Sequence, residues 1–533
     1  MDRPSLKQLA LDGEAAGGNI IYSLPDKHNR IAIRRPRART TVNDLPHDVL
    51  LSILRDVHRA TLRPFNHMAD MGFERESNYQ PELDPPAPYH SRLSPCSQHS
   101  VEHIASVSPH WLEAMSNSSE FWTQLVIWTG RDATPLSMVR KYLAGSRDKP
   151  LSIHVWRRYD PCVEDRTEKA HVKAIVELLV PHMKRTKLLC MHLLHSSSLP
   201  LPHTDLVGRA ENLVQLKLEF IFDDAVARPA PLPPSERTFD TPALLQLSIG
   251  GVHFREAYVA PVPRPLFPPK LRWITITDYT SDQVPFPAVA LLETLTVPDG
   301  CPRRYTGNLR ANLTNLQLDS YSDADPPRLN GQNIDWYFTD MSGDVIAHLS
   351  SHLDYPSVET LSYTRCTTST YNHPTLCNSY YLTLEGIPDS ATLRYYMFGN
   401  FISIRDCDGF NSEVLRALAR PVSGPYSNAE SWVCPEMDAL SISGCKRFHS
   451  SELRAALEAR RRRHEETGFA EVEDFYRGYM LLSVTHLYVR DCGELAAEDR
   501  EWFDNNVEEV HWDDWYGGTG DDDADDDDDE EEF

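Results

Sequence analysis

Cys366, Cys407, Cys445 and Cys492 stand at one place in four copies of a phrase: apolar residues first, fourth and sixth, and the thiol ninth, with Gly399 alone breaking the first position. Thiols can ligate metal, pair as disulfides or attack an electrophile, and each role needs a suitable partner close by. None of the ten cysteines falls in a Cys-x-x-Cys pair, which argues against a zinc site and for reduced thiols; no metal and no cofactor is expected. A free thiol in that slot reads as a small buried hydrophobe. The sequons at Asn117 and Asn312 are then unused. The 22 histidines create neighbours such as His171 and His182, which flank the helical stretch HVKAIVELLVPH. There is no Walker loop, Gly-x-Gly-x-x-Gly turn, His-Glu-x-x-His helix or Gly-x-Ser-x-Gly elbow, so the chain is not expected to be an enzyme.

The phrase organises most of the chain. With its cysteine it fits VETLSYTRC from Val358, GNFISIRDC from Gly399, MDALSISGC from Met437 and VTHLYVRDC from Val484. Without the cysteine it fits LLCMHL from Leu188, LVQLKL from Leu213, LLQLSI from Leu244, LRWITI from Leu271, LETLTV from Leu292 and LTNLQL from Leu313. Recurrence at roughly 21 to 47 residues is the signature of a solenoid. In a strand the fourth and sixth positions point to one face, which the next repeat buries. Pro242, Pro269, Pro356 and Pro435 lie two places before a frame, where a strand can begin but a proline cannot interrupt it.

After two frames the chain nearly copies itself. CDGFNSEVLRALAR from Cys407 and CKRFHSSELRAALEAR from Cys445 place Ser412 and Ser450 as helix caps, with Leu415/Leu418 and Leu453/Leu457 on one helical stripe. The unit is strand, turn, helix and return. It resembles the cysteine-containing class of leucine-rich repeat, which implies an α/β solenoid, arched, with parallel strands and helices, the cysteine supporting the bend after each strand.

Ahead of the repeats, VNDLPHDVLLSILRDV puts Asn43 and Asp44 as a cap before Leu45 and Pro46, with Val49, Leu50, Ile53 and Leu54 on one stripe. VEHIASVSPHWLEAMSNSSEFWTQLVIW then spaces Ile104, Val107, Trp111 and Leu112 before Phe121, Trp122 and the start of a strand. This pair of segments resembles an F-box, and the whole is similar to F-box and leucine-rich-repeat proteins of the kind found in mushroom-forming fungi. The resemblance covers roughly residues 41 to 512. It departs from the family pattern in two ways: residues 58–98 must loop out between the first two helices, and Val107-Ser-Pro-His-Trp111 lacks the cysteine or arginine usual beside the tryptophan. It implies that Leu45, Pro46, Val49, Leu50, Ile53, Val107, Trp111 and Trp122 dock on a Skp-type adaptor in a cullin complex, and that the solenoid holds an unknown target protein as the substrate receptor of a ubiquitin ligase.

Charge and composition set the remaining expectations. The formal net charge is −25, of which residues 521–532 supply 11 carboxylates; such a run repels itself, so 513–533 are expected to be a disordered acidic tail. Residues 1–40 form an expected disordered arm carrying Arg30, Arg34, Arg35, Arg37 and Arg39. No nucleic-acid partner is expected of so acidic a chain, and no membrane partner without a long apolar run. The workplace is cytoplasmic, nuclear or both. The expected domains are a helical module over 41–128, a linker helix within 129–150 near Pro135 to Leu143, and the solenoid over 151–512. A second reading, from a resemblance to acidic leucine-rich nuclear phosphoproteins, is an acidic-tailed carrier of histones or other basic proteins; a third is a scaffold outside any ligase.

Residues between the buried positions of each frame should line the concave surface: Lys217, Ser248, Thr275, Thr296, Gln317, Ser362, Ser403, Ser441 and Tyr488. Arg405 and Arg490 lie two places beyond Ser403 and Tyr488. Together with Tyr488 they are the expected target-binding residues, since arginine pairs a carboxylate or phosphate through two parallel hydrogen bonds.

Overall fold

The structure is a computed structural model that describes residues 45–70, 100–158, 166–227, 239–261, 267–279, 284, 286–295, 309–317, 329–330, 334–354, 357–369, 378–423, 430–467 and 481–519. The arginine-bearing arm, residues 71–98 of the expected loop, Thr296 and the acidic run from 521 lie outside the described residues.

One sheet of 15 strands runs through the described residues, and its spatial order is its chain order. Its strands are β1 (Gln124–Gly130), β2 (Leu151–Arg158), β3 (Thr186–His195), β4 (Gln215–Phe222) and β5 (Gln246–Gly250). Then come β6 (Trp273–Tyr279), β7 (Leu309–Leu316), β8 (Ile334–Thr339), β9 (Ser357–Thr364) and β10 (Asn378–Glu385). The last five are β11 (Gly399–Arg405), β12 (Ala439–Ser443), β13 (His486–Arg490), β14 (Glu509–Trp512) and β15 (Trp515–Gly517). Neighbours pair in parallel from β1 to β14, and β15 returns antiparallel against β14. Each parallel step needs a crossover, and sequential stacking with crossovers is what makes the array solenoid-like.

Helices α1 (His47–Asp70), α2 (Ser100–Ala105) and α3 (Pro109–Asn117) precede the sheet. The crossovers carry α4 (Leu136–Gly145), α5 (Glu168–Leu179), α6 (Gly251–Phe254), α7 (Ala288–Leu295), α8 (Gly343–Ser351), α9 (Ser390–Tyr396), α10 (Ser412–Leu418), α11 (Ser450–Thr467) and α12 (Ala497–Asn506). Helices and one face of the sheet share a single apolar core reaching from Leu50 to Trp512. The fourth and sixth frame positions supply it: Leu216 and Leu218, Leu247 and Ile249, Ile402 and Ile404, Leu440 and Ile442 are all buried and pair in register.

The strands end in a common way. From β6 to β13, eight successive strands are followed by, or close on, a residue with positive φ: Asp278, Asn315, Asp340, Arg365, Gly386, Asp406, Gly444 and Asp491, with φ between 49° and 68°. Glycine reaches that region freely and Asp or Asn more easily than other side chains, which accounts for seven of the eight residue types there, Arg365 being the exception. The turns are tied by a backbone ladder in which the N–H of Asp340, Arg365, Gly386 and Asp406 donates to the carbonyl of Thr364, Glu385, Arg405 and Ser443 on the next strand. After Arg365, Asp406, Gly444 and Asp491 the next residue is the frame's cysteine. Cys407 Sγ donates to the carbonyls of Arg405 (3.2 Å) and Leu384 (3.5 Å) and accepts from the N–H of Ile387 (3.3 Å). Cys445 Sγ in turn accepts from the N–H of Cys407 at 3.4 Å. Burial pushes these thiols up, to about 12 for Cys366 and Cys445 and about 11 for Cys407 and Cys492, so they stay protonated and serve as turn plugs.

Several expectations need correction. The described part of LETLTV, Leu292 to Leu295, is helix rather than strand: both leucines lie on α7 and pack inward from it. The frame from Leu313 is misplaced, because β7 runs from Leu309 to Leu316 and seats Ala311 and Leu313 beside Ile274 and Ile276. That leaves Gln317 beyond the strand rather than on its open face. In β3 the buried pair in register is Leu189 and Met191, two residues before the pair expected from Leu188. The cap of α10 is Asn411, whose side chain accepts from the N–H of Glu413, while Ser450 is the first residue of α11 and its hydroxyl donates to Asp499 at 2.6 Å. Trp122, Leu125 and Ile127 themselves fit the frame, so the sheet begins in β1 at Gln124 rather than at 151. At the far end it continues through β15 into residues assigned to the tail. The first helix does not stop near Val57 but runs on to Asp70.

Candidate docking surfaces

Two surfaces carry the expected site residues. On the helical module, α1 has two apolar stripes of i, i+4 spacing set one residue apart. Leu50, Leu54 and His58 are buried, while Val49, Ile53 and Val57 are 41%, 39% and 39% exposed. Because 100° of rotation separates adjacent residues, α1 seats one stripe and leaves the other in water. The seat is specific. The His58 ring meets Phe121 edge-on at 5.4 Å, and Arg55 Nε donates to Glu120 Oε1 at 2.7 Å. Partial burial works to raise the Glu120 carboxyl, but the bonds from Arg55 and Ser118 outweigh it and hold the group below its ordinary value. Burial lowers His58, so the ring sits neutral against Phe121.

The eight residues expected to meet an adaptor therefore divide. Pro46, Val49, Ile53 and Val107 are exposed, Val107 by 63%; Leu45 and Trp111 are half-buried. Leu50 and Trp122 are core residues, which corrects their assignment to the docking face. Trp122 occupies the first frame position of β1: its Nε1 donates to the carbonyl of Met115 at 2.9 Å, and its ring meets Tyr142 edge-on at 5.0 Å. A methyl group on Gly145 would lie 2.8 Å from that ring, so α4 closes over Trp122 only because residue 145 has no side chain. Leu112, on α3, is a further exposed apolar residue at 42%.

The second surface is the face of the sheet turned away from the core. Its central row reads Val126, His154, Cys190, Lys217, Ser248, Thr275, Asn312, Tyr337, Ser362, Thr383, Ser403, Ser441, Tyr488 and His511 from β1 to β14. Asn312 and Tyr337 stand where Thr296 and Gln317 were expected, and Thr383 is a further member between Ser362 and Ser403. In its early part His192 lies 3.7 Å from Glu219, which also accepts from Ser248 Oγ at 3.1 Å. Cys190 sits beside this pair, but burial, with Glu219 adding, pushes its thiol up to about 12. A thiol kept protonated is a poor nucleophile, so this trio is a packed polar patch rather than a reacting one. Burial, with Lys217 adding, lowers His154 to about 4.

The later strands hold the expected arginines. Arg405, Ser443 and Arg490 fall in one row on β11, β12 and β13. Arg405 Nε donates to Ser403 Oγ at 3.2 Å, and Arg490 Nε lies 3.8 Å from Asp491. The Tyr488 ring lies 5.1 Å from that of His511, tilted by 50°, and burial together with Glu509 raises its hydroxyl to about 12. A third row escaped the sequence reading: Tyr381, Phe401, Ala439 and His486 lie two residues before the central row on β10 to β13, with the Tyr381 and Phe401 rings 5.7 Å apart. Their place in the frame, one residue before the fourth position (Leu382, Ile402, Leu440 and Leu487), was the signal that could have found them.

Among the described residues no group of histidine, cysteine and carboxylate side chains could hold a metal ion, and no helix is long and apolar enough to cross a membrane. The fold defines the class: an α/β, solenoid-like array built on one long, mostly parallel sheet. No family model matches the chain, and no curated protein matches it.

Proposed function

We propose that this chain is the substrate-recognition subunit of an SCF-type, cullin-RING ubiquitin ligase, with an F-box-like module over α1 to α3 docking on a Skp-type adaptor and leucine-rich repeats holding a target. The observation that carries the reading is the bare stripe on α1. A helix that buries one apolar stripe and exposes a second beside it is built for two partners, one of them from another chain. Capping the solenoid does not account for it. Leu50, Leu54 and His58 already do the capping, and Thr134 meets the free edge of β1, its Oγ1 accepting from the N–H of Trp128 at 2.9 Å.

The test is copurification. Full-length chain should bring down a Skp-type adaptor, and Val49→Asp with Ile53→Asp should abolish recovery, since losing central apolar anchors commonly costs more than about 2 kcal/mol each. Circular dichroism and thermal unfolding of the double variant should match the parent, because both side chains already face water. Equal adaptor recovery from variant and parent would remove the proposal.

A further inference from the structure

The open face of β10 to β13 is a grid with two unlike edges. On one edge are Tyr381, 44% exposed, and Phe401; on the other are Arg405 and Arg490; between them lie half-buried Thr383 and Ser441 and the buried Ser403, whose hydroxyl accepts from Arg405. Four residues along a strand separate the edges, about 13 Å, and the strands step about 4.8 Å. Arg405 and Arg490 are two strands apart, hence about 10 Å.

We propose that this grid binds an extended protein segment whose side chains alternate between apolar and acidic. The proposal rests on the reading of the open face as the target-binding surface. A segment crossing the strands above the small hydroxyl residues brings its backbone close to them. Its side chains then point alternately to the two edges, repeating every 6.6 to 6.8 Å or so on each. Apolar side chains meet Tyr381 and Phe401; carboxylates meet the guanidiniums. Among the described residues Arg405 makes no ion pair, and Arg490 has only its half-exposed contact with Asp491, of a kind worth little and easily exchanged. Glu385 stands beside Arg405 in the basic row, with Thr364 Oγ1 donating to it at 3.5 Å. It repels an acidic side chain placed over β10, so the acids of the segment are favoured over β11 to β13. A helical ligand fits less well, because its girth keeps its backbone from the hydroxyl floor.

The experiment uses the full chain and fluorescein-labelled peptides of about ten residues, read by anisotropy. A peptide alternating Glu and Val should bind. A peptide of the same composition with the acids in one block and the valines in the other should bind about tenfold more weakly, as should the alternating peptide to Arg405→Glu/Arg490→Glu or to Tyr381→Ser/Phe401→Ser. Unchanged thermal unfolding and adaptor recovery confirm that each variant is folded. Equal binding of the block and alternating peptides, undiminished binding by both variants, or binding only when phosphoserine replaces glutamate would overturn the proposal. Peptide binding by a chain that recovers no adaptor would instead sink the ligase reading and leave this one standing.

Discussion

Replacing Glu168 with alanine should be among the most damaging single changes in the early repeats. Glu168 opens α5 with its side chain fully buried, and it accepts three hydrogen bonds: from Arg157 Nη1 on β2 (3.1 Å) and from the N–H groups of Leu194 (3.0 Å) and His195 (3.2 Å) on β3. Alanine deprives a buried guanidinium of its carboxylate and leaves two strand N–H groups without that acceptor. Breaking a buried pair from one side costs about 3 to 5 kcal/mol, and each orphaned buried donor adds about 1 to 3 kcal/mol where water cannot reach it, so a loss of at least about 4 kcal/mol is expected. Replacing both partners with leucine removes the stranded charge as well and should recover a large part of that loss. The assay is urea unfolding of the parent, Glu168→Ala and the double leucine variant, followed by tryptophan fluorescence, Trp156 lying one residue from Arg157. A loss below about 1 kcal/mol for Glu168→Ala, or a double variant as weak as the single, would refute the reasoning.

Two further predictions concern the turns and the buried histidines. Gly444→Ala should cost about 1 to 2 kcal/mol in urea unfolding, since φ is +68° and the new methyl would lie 2.0 Å from Asp406 Oδ1. Gly386→Ala, at +62° but 3.0 Å from its nearest neighbour, should cost less. Unfolded, His154 takes up its proton near pH 6.5; folded, it resists until about pH 4, so stability should fall as pH drops through that window, by up to about 3 kcal/mol. His154→Gln should flatten that part of the curve, and an equally steep curve in the variant would place the sensitivity elsewhere.

Strands with aliphatic frames were legible because alternation and the first apolar position agree, as at Leu213, Leu244 and Leu271. Those with other fillings were not. Ser379 takes the first position of the β10 frame, and Trp336 with Phe338 replaces aliphatic side chains in β8, so neither matched the pattern though both strands bury their sixth position. Leu292 and Leu295 show the opposite failure, since three-residue spacing serves a helix as well as a strand entry and only tertiary packing decides. On the docking surfaces the arginine row followed from counting positions. The division of α1 did not, because Val49 and Leu50 are equally apolar and only the shape of the seat, built by Phe121 and Glu120 from beyond the gap in the described chain, tells which is covered. Arg460 was likewise unreadable. A guanidinium on a run of arginines looks solvated, yet it is fully buried and donates to the carbonyls of Val433 and Cys434.

The left-handed turns leave a mark on how anything can approach this protein. Because a backbone constraint selects aspartate there, Asp278, Asp340, Asp406 and Asp491 gather along one rim at intervals of a few strands, whatever the partner. Among the described residues only Asp340 of these four is neutralised by a bidentate guanidinium, that of Arg365 at 2.7 and 2.8 Å. If the open face takes an anionic partner as proposed, that rim turns it away and directs it across the opposite one, past Tyr381 and Phe401, so the geometry of a turn would also set the direction of encounter, and added salt should relax it.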